Sequence, residues 1–239
     1  MGCCQSRGAD SKANRIARWR STGIVALPQV TFPDEVLDLD RSVRTLDLTH
    51  NKLVEIPMDI SNLVNMQRLI LASNLIERLP INLGKLQALK VMILDENHIT
   101  SLPDELGQLV RLEKLSISGN MLMSLPETIG SLRNLSLLNV SNNKLKYLPE
   151  SVGSCFSLEE LQANDNLIEE LPASIPPNLL KDCKALQNIS LHDNPISMDQ
   201  FQQMEGFQEF EARRKKKFDK QIDSNVMIDS KGLDEGVDL

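Results

Sequence analysis

Apolar residues and asparagines recur along this chain on a fixed ruler. Asn51, Asn74, Asn97, Asn120, Asn143 and Asn166 stand 23 residues apart, and Asn194 follows after 28. Three, five and eight positions before each asparagine lies an apolar residue. Leu48, Leu46 and Val43 precede Asn51; Leu71, Leu69 and Met66 precede Asn74; Leu94, Met92 and Leu89 precede Asn97. The series continues through Ile117, Leu115 and Leu112, then Val140, Leu138 and Leu135, then Ala163, Leu161 and Leu158, and ends on Leu191, Ile189 and Leu186. Apolar residues two apart predict a short strand with one side on a core and the other in solvent. The asparagine falls where the chain turns away from that strand.

A second half closes each repeat. Ile56-Pro57, Leu79-Pro80, Leu102-Pro103, Leu125-Pro126, Leu148-Pro149 and Leu171-Pro172 open outer segments, and proline suits the first turn of a helical piece because its missing N–H is not needed there. Ile60 and Leu63, Leu83 and Leu86, Leu106 and Leu109, and Ile129 and Leu132 stand three apart and point back inward. No single repeat of this kind can bury its apolar side; stacked repeats share one core. The predicted fold is therefore an α/β leucine-rich-repeat solenoid, a curved right-handed coil. It has a parallel β-sheet on the concave face and short helical or 3-10 segments on the convex face. The spacing resembles the plant intracellular, Ras-group-related class of repeats, and the resemblance implies that the asparagine amide bonds the backbone of adjacent coils.

Open solenoids need atypical ends. Residues 1–19 form a basic segment, and residues 20–40, with Ile24, Leu27, Phe32-Pro33 and Val36, read as a degenerate capping repeat. Seven repeats fill 41–197. Ile196, Phe201, Met204, Phe207 and Phe210 gather aromatic residues that the body lacks, so 198–220 is expected to be a capping helix with a basic last turn. The acidic segment 221–239 has little to bury and is expected to be disordered. The 28-residue interval holds Ile175-Pro176-Pro177-Asn178-Leu179-Leu180. It reads as a loop or extra helical turn on the convex side, or as a protrusion that binds a partner.

Composition sharpens this picture in three ways. Hydrophobic residues make up 41% of the chain but aromatics only 3%, so the core must be aliphatic. The net charge is -7, yet five basic residues and one acid lie in 1–20, and six basic residues and two acids lie in 211–220. An acidic body between basic ends does not suit a protein whose whole surface binds nucleic acid. Cys3, Cys4, Cys155 and Cys183 have the spacing of neither a disulfide framework nor a zinc site, and Cys155 and Cys183 read as small buried hydrophobes.

The start of the chain carries a modification signal. Met1-Gly2-Cys3-Cys4-Gln5-Ser6 matches M-G-x-x-x-[ST], the pattern for myristate on Gly2, with Cys3 and Cys4 as palmitate acceptors. One acyl chain holds a membrane weakly; a second chain or a basic patch makes the attachment stable. Arg15, Arg18 and Arg20 could supply that patch, with Trp19 either at the interface or packed on the cap. There is neither an apolar span of membrane length nor a secretory signal. The expected location is the cytoplasmic face of a membrane, or otherwise the cytoplasm.

The solvent-facing strand positions form a ribbon across the concave side. Arg68, Ile70, Val91, Ile93, Asp95, Lys114, Leu137 and Glu160 are the candidate protein-binding residues, because Ile70, Val91 and Ile93 make an apolar patch on neighbouring strands with Arg68 beside it. The patch also has a plainer account in the ease with which parallel strands carry Val and Ile. Asp95, Glu96, Glu160, Asp165 and Asp193 make a basic or mixed-charge partner easier to imagine than an acidic one. His50, His98 and His192 belong to no metal or catalytic cluster, and no phosphate loop or nucleophile elbow is present. A shallow ribbon does not exclude water as an enzyme cleft does. The expectation is a non-enzyme without cofactor, metal, nucleic acid or small-molecule substrate.

The ends and repeats together resemble small intracellular leucine-rich-repeat proteins, the family of leucine-rich repeat-containing protein fifty-seven and its plant counterparts. The likeness runs from Met1-Gly2 through Thr22-Gly23-Ile24 to Met204-Glu205-Gly206-Phe207 and Lys215-Lys216-Lys217-Phe218, while the adjacent Cys3-Cys4 and the acidic tail depart from it. The resemblance implies N-myristoylation and no enzyme activity. The function expected is a membrane-tethered adaptor in signalling or trafficking. The alternatives are a regulatory subunit of a phosphatase or small GTPase, and a purely structural repeat protein without lipidation.

Overall fold

Each apolar-polar-apolar triplet before an asparagine becomes a three-residue strand, short because the chain must turn at the next step. The computed structural model describes residues 16–18, 31–32, 37, 43–169, 175–223 and 237–238. Seven strands serve the seven asparagines: β2 (Thr45–Asp47), β3 (Arg68–Ile70), β4 (Val91–Ile93), β5 (Lys114–Ser116), β6 (Leu137–Asn139), β7 (Glu160–Gln162) and β8 (Asn188–Ser190). They pair in parallel and in sequence order, with Leu46, Leu69, Met92, Leu115, Leu138, Leu161 and Ile189 in one register line. Every member of that line is fully buried.

The asparagines link the coils. Asn97 donates from Nδ2 to the carbonyls of Leu94 and Asp95 in its own coil and of Leu71 in the coil before, at 2.9–3.1 Å. Its Oδ1 accepts the Ile76 N–H at 3.1 Å. Asn74, Asn120, Asn143 and Asn166 repeat this pattern, so a buried amide is satisfied at each step. The residue just before each asparagine must enter the left-handed region to aim that amide. His50, Ser73, Glu96, Asn142, Asp165 and Asp193 all have φ of 53–56°, and Gly119 takes 67°.

On the other side of each coil the prolines behave slightly differently from the sequence expectation. Pro57, Pro80, Pro103, Pro126 and Pro149 precede the helical segment in extended conformation instead of lying inside its first turn, and each carbonyl accepts the N–H three residues on. The segments that follow, Met58–Asn62, Ile81–Lys85, Asp104–Gln108, Glu127–Ser131 and Glu150–Ser154, are 3-10 turns. They stack on one another along the convex side of the curved sheet. Gly84, Gly107 and Gly130 sit where that stacking is closest: a Cβ would lie 2.5 Å from the carbonyl oxygens of Glu105, Thr128 and Ser151. In the 28-residue interval the 3-10 turn is replaced by one α-helical turn, α1 (Leu179–Asp182), with Ile175, Leu179 and Leu180 fully buried.

The ends differ from the sequence reading in detail. Ile16–Arg18, within the expected basic segment, forms β1 and pairs with β2. Phe32 is buried and Leu37 packs on the core; Trp19, Ile24, Leu27, Pro33 and Val36 lie outside the described residues. The expected continuous helix over 198–220 is two helices, α2 (Met198–Gln202) and α3 (Phe207–Asp223). Gly206 breaks it with φ of 86°, because the chain passes so close to α1 that a Cβ would meet Lys181 N at 2.8 Å. Phe201 packs edge-on against Phe207 and Phe210 over the last coil. Arg213 donates from Nε to the Leu186 carbonyl and from its Nη2 to that of Leu180, so one residue of the basic run closes backbone acceptors. The acidic segment expected to lack structure contributes the end of α3 and a ninth strand, β9 (Val237–Asp238), paired with β8.

Candidate functional site

Strand alternation places three rows of side chains on the solvent side of the ribbon. The first strand positions run Thr45, Arg68, Val91, Lys114, Leu137, Glu160 and Asn188, directly opposite one another in register. The third positions run Asp47, Ile70, Ile93, Ser116, Asn139, Gln162 and Ser190. A row just past the strands holds Asp95, Ser118, Ser141 and Asn164. The structure therefore brings the eight candidate binding residues onto one face of β3–β7. Arg68 and Lys114 are exposed there, and Ile70, Ile93, Asp95, Leu137 and Glu160 are half-buried. Val91 differs from the expected accessible patch. It is only 9% exposed, a short side chain flanked in register by the longer Arg68 and Lys114.

The charges on the ribbon are not equivalent. Asp95 Oδ1 accepts from Ser116 Oγ at 2.7 Å and from the Ser118 N–H at 2.8 Å. Glu96 accepts from Ser73 Oγ, Glu160 from Gln162, Asp165 from Asn164, and Asp193 bonds His192 Nδ1. Asp47, almost fully buried, holds the Thr49 hydroxyl and amide. Arg68 and Lys114, by contrast, have no ion pair or side-chain hydrogen bond among the described residues. The acid-rich composition of the ribbon is thus largely engaged within the protein, and its unengaged charge in β3–β5 is positive.

Three features escaped the sequence reading. Glu77, Arg78, His98, Thr100 and Met121 line a shallow depression of about 320 Å³ on the asparagine side of the coils, so His98 does border a concavity. Exposed Leu75, Met121 and Leu167 occupy the position after their asparagines, where Lys52, His98 and Lys144 stand in other coils. An apolar residue at that step, outside the core pattern, was the available signal. Asp165, His192 and Asp193 also place possible cation ligands within 4.8 Å of one another at the surface. The buried thiols are chemically quiet: burial pushes Cys155 up to about 11 and Cys183 up to about 12. Gly2, Cys3 and Cys4 lie outside the described residues, and no described helix is long and apolar enough to cross a membrane.

Comparison with known proteins agrees with this geometry. Leucine rich repeat family profiles match residues 42–63 and 64–122. A Leptospira interrogans LRR protein superposes with a TM-score of 0.66 at 30% identity, over 73% of this chain and 44% of its own. The plant peptide hormone receptor RGFR1 in complex with RGF2 gives 0.62 at 30% identity, over 69% of this chain and 27% of its own. The solenoid is of the kind that serves as a non-catalytic protein-interaction module. Over 100% of both chains the protein is 70% identical to plant intracellular Ras-group-related LRR protein 7 of Oryza sativa subsp. japonica. On that full-length match, the chain belongs to the plant intracellular Ras-group-related leucine-rich-repeat proteins.

Proposed function

We propose that this protein is a membrane-tethered adaptor that holds a partner protein on its concave ribbon. The observation that carries this reading is the surface of Arg68, Ile70, Val91, Ile93, Asp95, Lys114, Leu137 and Glu160 on one face, where Ile70, Ile93 and Leu137 stand half-open beside the unengaged Arg68 and Lys114. Desolvating Ile70 and Ile93 under a partner supplies affinity, while the charges around them set orientation and specificity. The plant receptor similar in fold forms a complex with RGF2, which supports a solenoid of this shape as a binding platform.

Attachment follows from the first residues: myristate on Gly2, reinforced by palmitate on Cys3 or Cys4 or by the basic segment up to Arg20. Ile16 in β1 lies fourteen residues after Gly2, and an extended chain of that length reaches at most about 50 Å. The solenoid would therefore work close to the cytoplasmic face of a membrane.

The two parts are tested separately. Intact mass of the protein made in plant cells reads acylation; a Gly2→Ala form that keeps the same membrane fraction sinks the tether. For docking, Ile70→Asp with Ile93→Asp should leave the melting temperature within a few degrees and abolish partner recovery in affinity purification. Unchanged recovery sinks the concave reading.

A further inference from the structure

Among the described residues, Arg68 and Lys114 are the ribbon charges that the protein itself leaves unused. They stand two strands apart with Val91 between them, about 9.5 Å at the usual strand spacing. One row across, Ile70 and Ile93 lie side by side. Two strands beyond Lys114, past Leu137, the same row reaches Glu160. The row therefore alternates cation, apolar, cation, apolar, anion.

We propose that β3–β7 docks an amphipathic helix of the partner that carries acidic residues at i and i+7, a basic residue at i+14, and apolar residues between them. This rests on the concave ribbon being the docking face and names what fits it. A helix rises about 10.5 Å over seven residues, which brings one face back in step with Arg68, Lys114 and then Glu160. Positions i+3 and i+4 fall between the acids, one on each side of the line that joins them, so one of the two meets Ile70 and Ile93. An extended peptide does not match: its same-face residues recur about every 6.8 Å, so pairs lie near 7 or 14 Å, not 9.5 Å. The width also suits a helix. Three outward residues along a strand and its continuation span about 13 Å, against a helix diameter of about 10–12 Å.

Charge fixes the direction. A helix laid the other way would set its basic residue on Arg68, and covering unpaired cations without counter-charges is unfavourable. A planar anionic membrane offers the same counter-charge but cannot follow a concave surface to reach Val91 and Ile93.

The experiment selects a phage-displayed library of 20-residue alanine-rich helices against the full chain, randomised at i, i+3, i+4, i+7, i+10, i+11 and i+14. Enriched helices are expected to carry Asp or Glu at i and i+7, apolar residues between, and Lys or Arg at i+14. A labelled winner should bind at least tenfold more weakly to Arg68→Glu and to Lys114→Glu. The double variant should instead prefer that peptide with Lys at i and i+7, a gain that misfolding cannot produce. Helices that need Asn139 or Ile93 but show no charge pattern overturn this proposal and leave the docking face standing. Helices indifferent to every ribbon substitution overturn both. Failure to enrich any helix, or binding of phosphatidylserine vesicles with the same dependence on Arg68 and Lys114, also overturns the helix.

Discussion

The two long sides of the coil are stacked by different physics. On the strand side, neighbouring coils are joined by backbone ladders and by asparagines whose donors and acceptor are all used. On the convex side, 3-10 turns meet chiefly through van der Waals contact, with scattered side-chain bonds such as Asn82 Nδ2 to the Met58 carbonyl and Gln87 Nε2 to that of Gln108, and the closest approaches run through Gly84, Gly107 and Gly130. Hydrogen-bond stoichiometry leaves the first side almost no freedom: Asp in place of Asn lacks the donors, and Leu lacks both. The second side tolerates many residues and objects only where a backbone atom is already in contact. The strand spacing is thus held near 4.8 Å, the bulkier turns splay outside it, and the sheet curves.

Substitutions at equivalent steps of the two sides put this difference to the test. Asn97→Ala should have the largest effect, about 3–5 kcal/mol of stability, because it orphans several buried backbone groups at once. Chemical denaturation measures it, and a loss below about 1 kcal/mol would contradict the role assigned to the amide. On the convex side Gly107→Ala should lose about 1–3 kcal/mol, since its Cβ would push into Thr128 backbone. Gly153→Ala should lose clearly less, because the atoms it meets belong to the Asn178 side chain, which can turn away. Equal effects at the two glycines would mean that backbone contact is not what limits the stacking.

The convex column also ends on two thiols, Cys155 and Cys183, in place of the leucines of earlier coils. Their folded values are raised from 9.0 to about 11 and about 12, so the folded state holds these protons longer than the unfolded chain does. Their contribution is complete below pH 9 and is lost as pH rises through 11–12, at up to about 1.4 kcal/mol per pH unit for each thiol. Melting between pH 8.5 and 10.5 should fall more steeply for the native chain than for a Cys155→Ala, Cys183→Ala form. A comparably small effect belongs to the turn before the asparagine. Gly119→Ala should lose about 1–2 kcal/mol from left-handed strain alone, since its Cβ would find ordinary contacts. His50→Gly should gain about 1 kcal/mol for the mirror reason.

Which parts of this architecture were legible follows from the range of the forces involved. The apolar triplets and asparagines report contacts that repeat at one sequence interval, so the sequence alone places Leu69, Met92 and Leu115 on a common line. The break at Gly206 was not legible, because its cause is the backbone of α1, some 25 residues away in the chain and with no periodic relation to it. The same holds at the candidate site. Membership of the ribbon could be read from alternation, whereas the burial of Val91 depends on its neighbours in the coils on either side. Counting carboxylates pointed to a basic or mixed-charge partner. Asp95 is held by Ser116 and Ser118 while Arg68 and Lys114 are held by nothing described, so the unengaged charge that β3–β5 offers is positive and the partner proposed for it is acidic there.

The residue pattern alone settled that this chain coils, how often, and which side chains enter its interior, because a 23-residue period can be buried only by stacking. Tertiary structure decided how tightly the coils approach, which end segments join the sheet, and which surface charges remain unsatisfied. Those depend on distances between residues from different coils, and a one-dimensional count of charges cannot record whether a given carboxylate has already met its donor.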